Sequence, residues 1–251
     1  MKLDLHGKIV SYRRAGSGPP ILWIHAFPFS RLMWEVQLAT FAPTNTCVAL
    51  DLPGFGGSAP LPEAKTTVAT YAEACEAVAL QVNPKDPWII AGLSLGGYVA
   101  FEILRRRKIK LRGLILADTR ADADTPEQNA ARRALLEKAR AAGSVDVAET
   151  LLGKMVTDEC PMDVRDMVRA WMKATPKDGL LGAMNALITR PDSMATLDLD
   201  PRPRVIVGGR RRRAHTALRN GNDRATPQDR QARPDRARGA PLERGAAGAV
   251  Q

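Results

Sequence analysis

The stretch Ala91-Gly92-Leu93-Ser94-Leu95-Gly96-Gly97 decides how this chain is read. It follows the apolar run Trp88-Ile89-Ile90 and precedes Tyr98-Val99-Ala100-Phe101-Glu102-Ile103-Leu104, whose spacing predicts a helix. A strand, a G-x-S-x-G turn and a helix together predict a sharp elbow that lifts the Ser94 hydroxyl clear of the sheet edge as a nucleophile. Gly92 and Gly96 stand where a β-carbon would strike the neighbouring strand or helix. The plainer reading of the pattern is a tight strand-helix turn. The flanking elements and the third glycine, Gly97, favour the nucleophile.

The strands outward from this point follow one pattern. Leu3-Asp4-Leu5 and Ile9-Val10-Ser11-Tyr12, split by His6-Gly7-Lys8, predict an opening hairpin with His6 exposed in its turn. Ile21-Leu22-Trp23-Ile24, Cys47-Val48-Ala49-Leu50 and Leu111 to Ala117 are continuous apolar runs, as in strands buried on both faces. Helical segments, Arg31 to Phe41 and Thr66 to Val82, lie between them. Alternation of this kind implies a mostly parallel, doubly wound α/β sheet. Residues 126–190 break it with helices only, over Pro126–Ala142, Val145–Val156, Met162–Thr175 and Lys177–Thr189. That much helix inserted before the last strand, Arg204-Val205-Ile206-Val207-Gly208, predicts a cap over a site. The expected organisation is a core over 1–125, a helical cap over 126–190, a core strand in 191–208 and a tail over 209–251.

Composition removes several classes. No apolar run in the 251 residues approaches the length that spans a bilayer, and Met1-Lys2-Leu3-Asp4-Leu5-His6 lacks the apolar region of a signal peptide. Cys47, Cys75 and Cys160 have no metal or redox spacing and are expected to be buried thiols in a reducing cytoplasm. The loop Asp51-Leu52-Pro53-Gly54-Phe55-Gly56-Gly57-Ser58 is glycine-rich enough to cradle a phosphate. No helix start or Lys-Ser/Thr pair follows it directly, so a nucleotide loop fails its context test. No cofactor and no metal are expected. The net charge of +10 is uneven: residues 209–251 hold 11 Arg, no Lys and four acids, a net of +7, which leaves +3 for the first 208. The core therefore carries no nucleic-acid or membrane signature.

The HxFP segment at His25-Ala26-Phe27-Pro28, the DLPGFGGS loop, the GLSLGG elbow, the LILADTR strand, the helical insertion and RVIVG occur in the order of the α/β-hydrolase fold. The chain resembles the branch that contains 3-oxoadipate enol-lactonases and small carboxylesterases. That resemblance covers residues 1–208. It implies a serine nucleophile, Ser94, acting on an ester or lactone carbonyl, with an oxyanion hole from the backbone N–H groups of Leu95 and Phe27. His25 is expected to hold its loop by hydrogen bonds rather than to act as base, since the family's base comes late in the chain. Where the family has His-Gly, this chain has His25-Ala26.

The family's acid and base motifs are missing after the last strand, which runs into Gly209-Arg210-Arg211-Arg212-Arg213. Beyond Gly208 only Leu218, Leu242 and Val250 are large and apolar, so composition predicts disorder and the loss of the final strand and helix. Arg, Ala, Gly and Pro are what GC-rich DNA gives when read out of frame. A one-base shift over Gly209 to Ala217 permits G-x-D-D-V-L-T-P, and the same shift over Gly239 to Ala247 permits Gly-His-Leu-Ser-Asn-Glu-Ala-Pro, so a frameshift near codon 208 is expected. Asp118, at the end of the strand beside the elbow, is the candidate substitute acid, although a turn-capping carboxylate is the plainer reading. His215 is the one later histidine and the candidate base. Such a chain is expected to be poorly active and prone to aggregate through an uncovered sheet edge. The alternative is a non-catalytic hydrolase-like protein whose basic tail binds polyanions weakly.

Overall fold

The computed structural model describes residues 1–198, 200 and 202–207. Among the described residues, seven strands form one sheet: β1 (Lys2–Leu5), β2 (Lys8–Ala15), β3 (Pro20–Ile24), β4 (Thr46–Leu50), β5 (Trp88–Leu93), β6 (Leu111–Ala117) and β7 (Arg204–Val207). Their order is β1-β2-β4-β3-β5-β6-β7. The opening pair and the β2–β4 contact are antiparallel, and every later pairing is parallel.

The apolar runs are strands because both faces of the sheet are covered. Leu22, Ile24, Val48, Leu50 and Ile90 point into one core with Tyr71, Val78, Val99 and Phe101. Ile21, Trp23, Cys47, Ala49 and Ala91 point the other way, onto Trp34 and Leu38. The first of these cores is closed by helices α2 (Val68–Val82) and α3 (Leu95–Arg106), the second by a 3-10 turn at Arg31–Trp34 that continues as α1 (Glu35–Phe41). The sequence predicts one helix from Arg31, whereas its first turn is 3-10, with the Ser30 hydroxyl accepting from the Leu32 N–H. Helix α2 starts one residue past Thr67, which exchanges a reciprocal capping box with Thr70.

Between β6 and β7 lie α4 (Pro126–Met155), α5 (Met162–Lys173), α6 (Lys177–Ile188) and the short α7 (Met194–Asp198). The two helices expected over 126–156 form one element with a sharp kink at Gly143, whose φ of 74° and ψ of −157° are not helical. Residues Glu63–Lys65 form a 3-10 turn and Met194–Asp198 a helix, neither visible in the hydrophobic spacing. The expectation of three buried cysteines is corrected at Cys160, which is only half-buried because it lies in the surface turn before α5; Cys47 and Cys75 are buried. Of the described helices, none is long and apolar enough to cross a membrane. On β7, Val205 and Val207 stand 57% and 52% exposed. The residues that follow, including those on which the tail, frameshift and base expectations fall, lie outside the described residues.

The basic run Arg105-Arg106-Arg107-Lys108 closes α3, where cations suit the negative end of the helix dipole, and it also anchors that helix. Arg106 pairs with Glu76 of α2 at 2.9 Å, and Arg105 pairs with Glu102 and donates to the Ser193 hydroxyl at 2.9 Å. Arg107 closes the helix in a left-handed conformation with φ 53°.

Candidate active site

Strand β5 delivers Ser94 into a backbone conformation of φ 50° and ψ −108° before α3 begins at Leu95. A non-glycine residue there costs on the order of 1–3 kcal/mol and persists only where its surroundings fix it. They do so from three sides. The Ser94 N–H donates to the Ala117 carbonyl at 2.9 Å, while its own carbonyl accepts from Gly97 N–H and from the Thr119 hydroxyl, both at 2.9 Å. Although Ser94 occupies the N-cap position of α3, its side chain makes no capping hydrogen bond. The hydroxyl is kept out of the scaffold.

The glycines make the turn possible by close approach. A β-carbon on Gly92 would lie 2.3 Å from the Gly96 carbonyl oxygen, and one on Gly96 would lie 2.2 Å from that of Ile24. Both obstacles are backbone and cannot turn away. Gly96→Ala is expected to lower stability by about 3 kcal/mol, a fall in Tm of roughly 6–12 °C for a chain this size. A melting temperature within two degrees of the natural chain's would refute the packing argument.

His25 follows β3 and is fully buried. Its Nδ1–H donates to the Ala26 carbonyl at 2.9 Å, and its Nε2 accepts from the Leu52 N–H at 3.0 Å. Both ring nitrogens are thus used to lock the HxFP loop against the DLPGFGGS loop. Burial is the main reason its pKa falls to about 4; the hydrogen bond to Ala26 and the nearby Asp51 push the other way. The second loop is tied down by Asp51, which accepts from the N–H groups of Arg31 and Gly57, each at 2.9 Å, and pairs with the Arg31 guanidinium.

A group that stays neutral when folded, but protonates with an ordinary pKa near 6.5 when unfolded, adds stability that is complete above that value. It is lost as pH falls toward 4. His25 is therefore expected to remove roughly 3 kcal/mol between pH 7 and 4. Urea midpoints across that range test this, and His25→Asn should flatten the slope. An equal slope in the variant would assign the effect to other groups.

A cavity of about 230 Å³ opens at the elbow, with Ser94 and Phe27 among its lining residues. The kink at Gly143 folds α4 so that its two halves, through Leu135 and Leu151, both face this space. Met184 and Leu187 of α6 complete the apolar wall. The insertion is fastened to the loops around the site. The Thr175 hydroxyl donates to the Pro28 carbonyl at 2.7 Å, and a β-carbon on Gly179 would lie only 1.9 Å from the Gly54 oxygen.

Both ends of the insertion are clasped at one point. Asp124 is paired with Arg132 and, at 2.6 Å, with Arg190; the Asp124 and Arg190 side chains are only 4% and 2% exposed. Burial alone would raise the Asp124 carboxyl, but the two guanidinium groups outweigh it and hold it below the usual range. Arg190 also donates to the Asp122 carbonyl at 2.7 Å and lies 4.2 Å over the Tyr98 ring of α3.

The sequence-derived residues are thus distributed as follows. Ser94 and Phe27 share one cavity, and Leu95 opens the helix beside it. Neither Leu95 N–H nor Phe27 N–H has an acceptor among the described residues. Asp118 follows β6 directly, exposed, at φ 41°, with its N–H donating to the Val207 carbonyl at 2.8 Å. It therefore sits between the end of β7 and the strand whose Ala117 carbonyl holds Ser94. His6 is exposed in the first turn, with Nε2 3.2 Å from a Glu73 oxygen. His215 lies outside the described residues. Asp124, Arg132 and Arg190 were not legible as a group, because Asp124 and Arg190 are 66 positions apart and no local spacing marks the pair.

A strained serine between a parallel strand and a helix, under a helical insertion, defines a class of fold, and sequence comparison agrees with it. The profile of the Alpha/beta hydrolase family matches residues 21–249, and the chain belongs to that family. An uncharacterized protein of Mycobacterium tuberculosis is 39% identical over 98 residues, 39% of this chain and 28% of that protein, so the chain spans little more than a quarter of that relative's length. A haloalkane dehalogenase of Sphingobium indicum is 26% identical over 134 residues, 51% of this chain and 45% of the dehalogenase. Among solved structures, a malate-bound thermophilic esterase from Thermogutta terrifontis superposes with a TM-score of 0.75 at 29% identity, covering 83% of this chain and 78% of its own. The enol-lactonase from Burkholderia xenovorans superposes at 0.74 and 20% identity, with 84% and 81% covered.

Proposed function

We propose that the chain is a serine hydrolase of carboxylic esters or lactones, with Ser94 as the nucleophile. The observation that carries this reading is the strained Ser94 backbone, which spends its N–H and carbonyl on the scaffold and leaves the hydroxyl at a cavity. In this reading Ser94 Oγ attacks the carbonyl carbon, and the N–H groups of Leu95 and Phe27 receive the developing oxyanion. The alcohol portion leaves with a proton, or stays tethered in a lactone, and water then releases the acid from the acyl-enzyme. Helices over 126–190 act as the cap that shapes the acyl pocket. Both relatives named as an esterase and an enol-lactonase fit this chemistry.

The proton acceptor is the component the described residues do not supply. His25 has both ring nitrogens engaged and His6 sits in a distant exposed turn, so His215 stands as the base and Asp118 as the acid in this scheme. The same observation favours a second reading, a hydrolase-like chain without turnover whose arginine-rich tail binds polyanions. A fluorophosphonate probe separates the two. Covalent label on the peptide carrying Ser94 supports the first. No label, together with salt-sensitive RNA binding that is lost on deleting 209–251, supports the second.

A further inference from the structure

A second cavity, of about 670 Å³, opens where α3 ends and β6 begins. Arg105, Arg107 and Arg202 line it with one acid, Asp200, and Leu104, Ile109 and Leu111 form its apolar wall. Arg105 stands eleven residues along α3 from Ser94, roughly 16 Å at 1.5 Å per residue, so this space is separate from the one at the elbow. Arg105 is already engaged: it pairs with Glu102 and donates to the Ser193 hydroxyl at 2.9 Å and to the Asp192 carbonyl at 3.2 Å. Arg202 spends only its Nε side, on Asp200 Oδ1 at 2.6 Å, and its Nη1 and Nη2 have no partner among the described residues. Arg107, the left-handed residue that closes α3, is exposed and makes no ion pair among the described residues. The Asp200 side chain is 2% exposed, and its Oδ2 has no hydrogen-bond partner.

A local Asp200–Arg202 pair that ties a turn beside a water-filled gap is the plainer account. It leaves the Arg202 fork, Arg107 and the buried Oδ2 all unused. The surrounding sequence adds charge, since Arg105-Arg106-Arg107-Lys108-Ile109-Lys110-Leu111-Arg112 holds six cations and no acid. Glu102 and Glu76 offset only Arg105 and Arg106, so the field at the cavity stays positive. A positive rim beside an apolar wall suits an anion carried on an organic body. Two guanidinium groups from separate segments can use more acceptors than one carboxylate offers. A phosphomonoester presents three terminal oxygens and a charge of about −1.5 to −2 near neutral pH. We propose that this cavity binds a small organic phosphate. Arg107 and Arg202 take the phosphate, Leu104, Ile109 and Leu111 take the apolar part of its body, and an N–H or O–H on that body donates to Asp200. The volume lies within the roughly 300–1,000 Å³ of small-molecule sites and far exceeds a lone phosphate, so the body is part of what is recognised. The site stands whether or not Ser94 is a nucleophile.

Adenosine 5′-monophosphate, whose base amine and ribose hydroxyls are donors, serves as the probe. It is titrated calorimetrically into the full chain beside adenosine and inorganic phosphate. The monophosphate is expected to bind at least about tenfold more tightly than either part, and to weaken when salt rises from 50 to 500 mM. Arg107→Met should weaken it about fivefold. Because Arg107 is exposed and unpaired among the described residues, that variant should melt within about 2 °C of the natural chain, which separates lost binding from lost fold. Arg202→Lys, which keeps a cation beside Asp200 but loses the planar fork, should weaken the monophosphate as well. No binding of the monophosphate, equal affinity for adenosine, or an unchanged affinity in Arg107→Met would overturn the proposal. Succinate bound as tightly as the monophosphate would overturn the choice of phosphate. Single-stranded RNA bound in place of the monophosphate, and weakened by Arg107→Met, would assign these cations to a polyanion instead.

Discussion

Ser94→Ala is expected to abolish fluorophosphonate labelling and to reduce ester hydrolysis by about 10³- to 10⁶-fold, the range seen when a serine nucleophile is removed. The substitution deletes one oxygen. Ser94 Oγ caps nothing, and the backbone hydrogen bonds to Ala117, Gly97 and Thr119 do not involve it. Thermal unfolding of the variant should therefore match the natural chain within about 0.5 kcal/mol, the scatter of substitutions that touch no packed feature. Labelling is the sensitive readout, since a single covalent event per molecule registers even where turnover is slow. A label retained in Ser94→Ala, or mapped to another residue, would remove the elbow from the chemistry.

Asp124→Ala is expected to have the largest effect on folding, about 3–5 kcal/mol. The Arg190 guanidinium is almost wholly buried, and among the described residues its Nε has no partner and Asp124 is its one ion-pair partner, with the Asp122 carboxyl acting on it from further away. Removing that carboxylate leaves the charge in low dielectric without an ion-pair partner, with the Asp122 carbonyl, the Tyr98 ring and the more remote Asp122 carboxyl around it. The double variant Asp124→Leu/Arg190→Met deletes both members of the pair and should recover most of the loss, because two apolar groups leave no stranded charge. Denaturant melts of the single and double variants check this. A single-variant loss below about 1 kcal/mol would mean that water reaches Arg190. Asp124 also bears on acid stability. A carboxyl held below its usual range contributes stability present above its unfolded pKa and lost as pH falls through the folded value, so its contribution fades at lower pH than that of His25.

Most of the scaffold was legible because the apolar runs leave few alternatives. Ile21-Leu22-Trp23-Ile24 has no polar face, so it must be covered on both sides, and the chain supplies helices to do it. The break expected between Ala142 and Val145 corresponds to the kink at Gly143, where glycine adopts a backbone angle that a side chain would disfavour. Strand order was less legible, since β4 crosses to the far side of β3 and nothing local in Thr46–Leu50 marks the crossing. The elbow was legible for a different reason. Gly92 is required by a contact only a few residues away, with the Gly96 carbonyl, and such a need leaves a short motif, although Gly96 itself answers to the distant Ile24 carbonyl. The clasp of Asp124, Arg132 and Arg190 depends on partners brought together only by the completed fold, and it leaves none.

The bend in α4 also bears on how such a pocket diversifies. Each half of the helix advances about 100° per residue. One residue added or removed between Arg132 and Gly143 would therefore swing one wall of the cavity by more than a quarter turn, exchanging Arg132 for a neighbour. The other wall and the sheet would keep their register, because the glycine joint between the halves absorbs the change. Selectivity in this architecture can thus shift by single-residue length changes in one helix while the strand that carries Ser94 stays as it is.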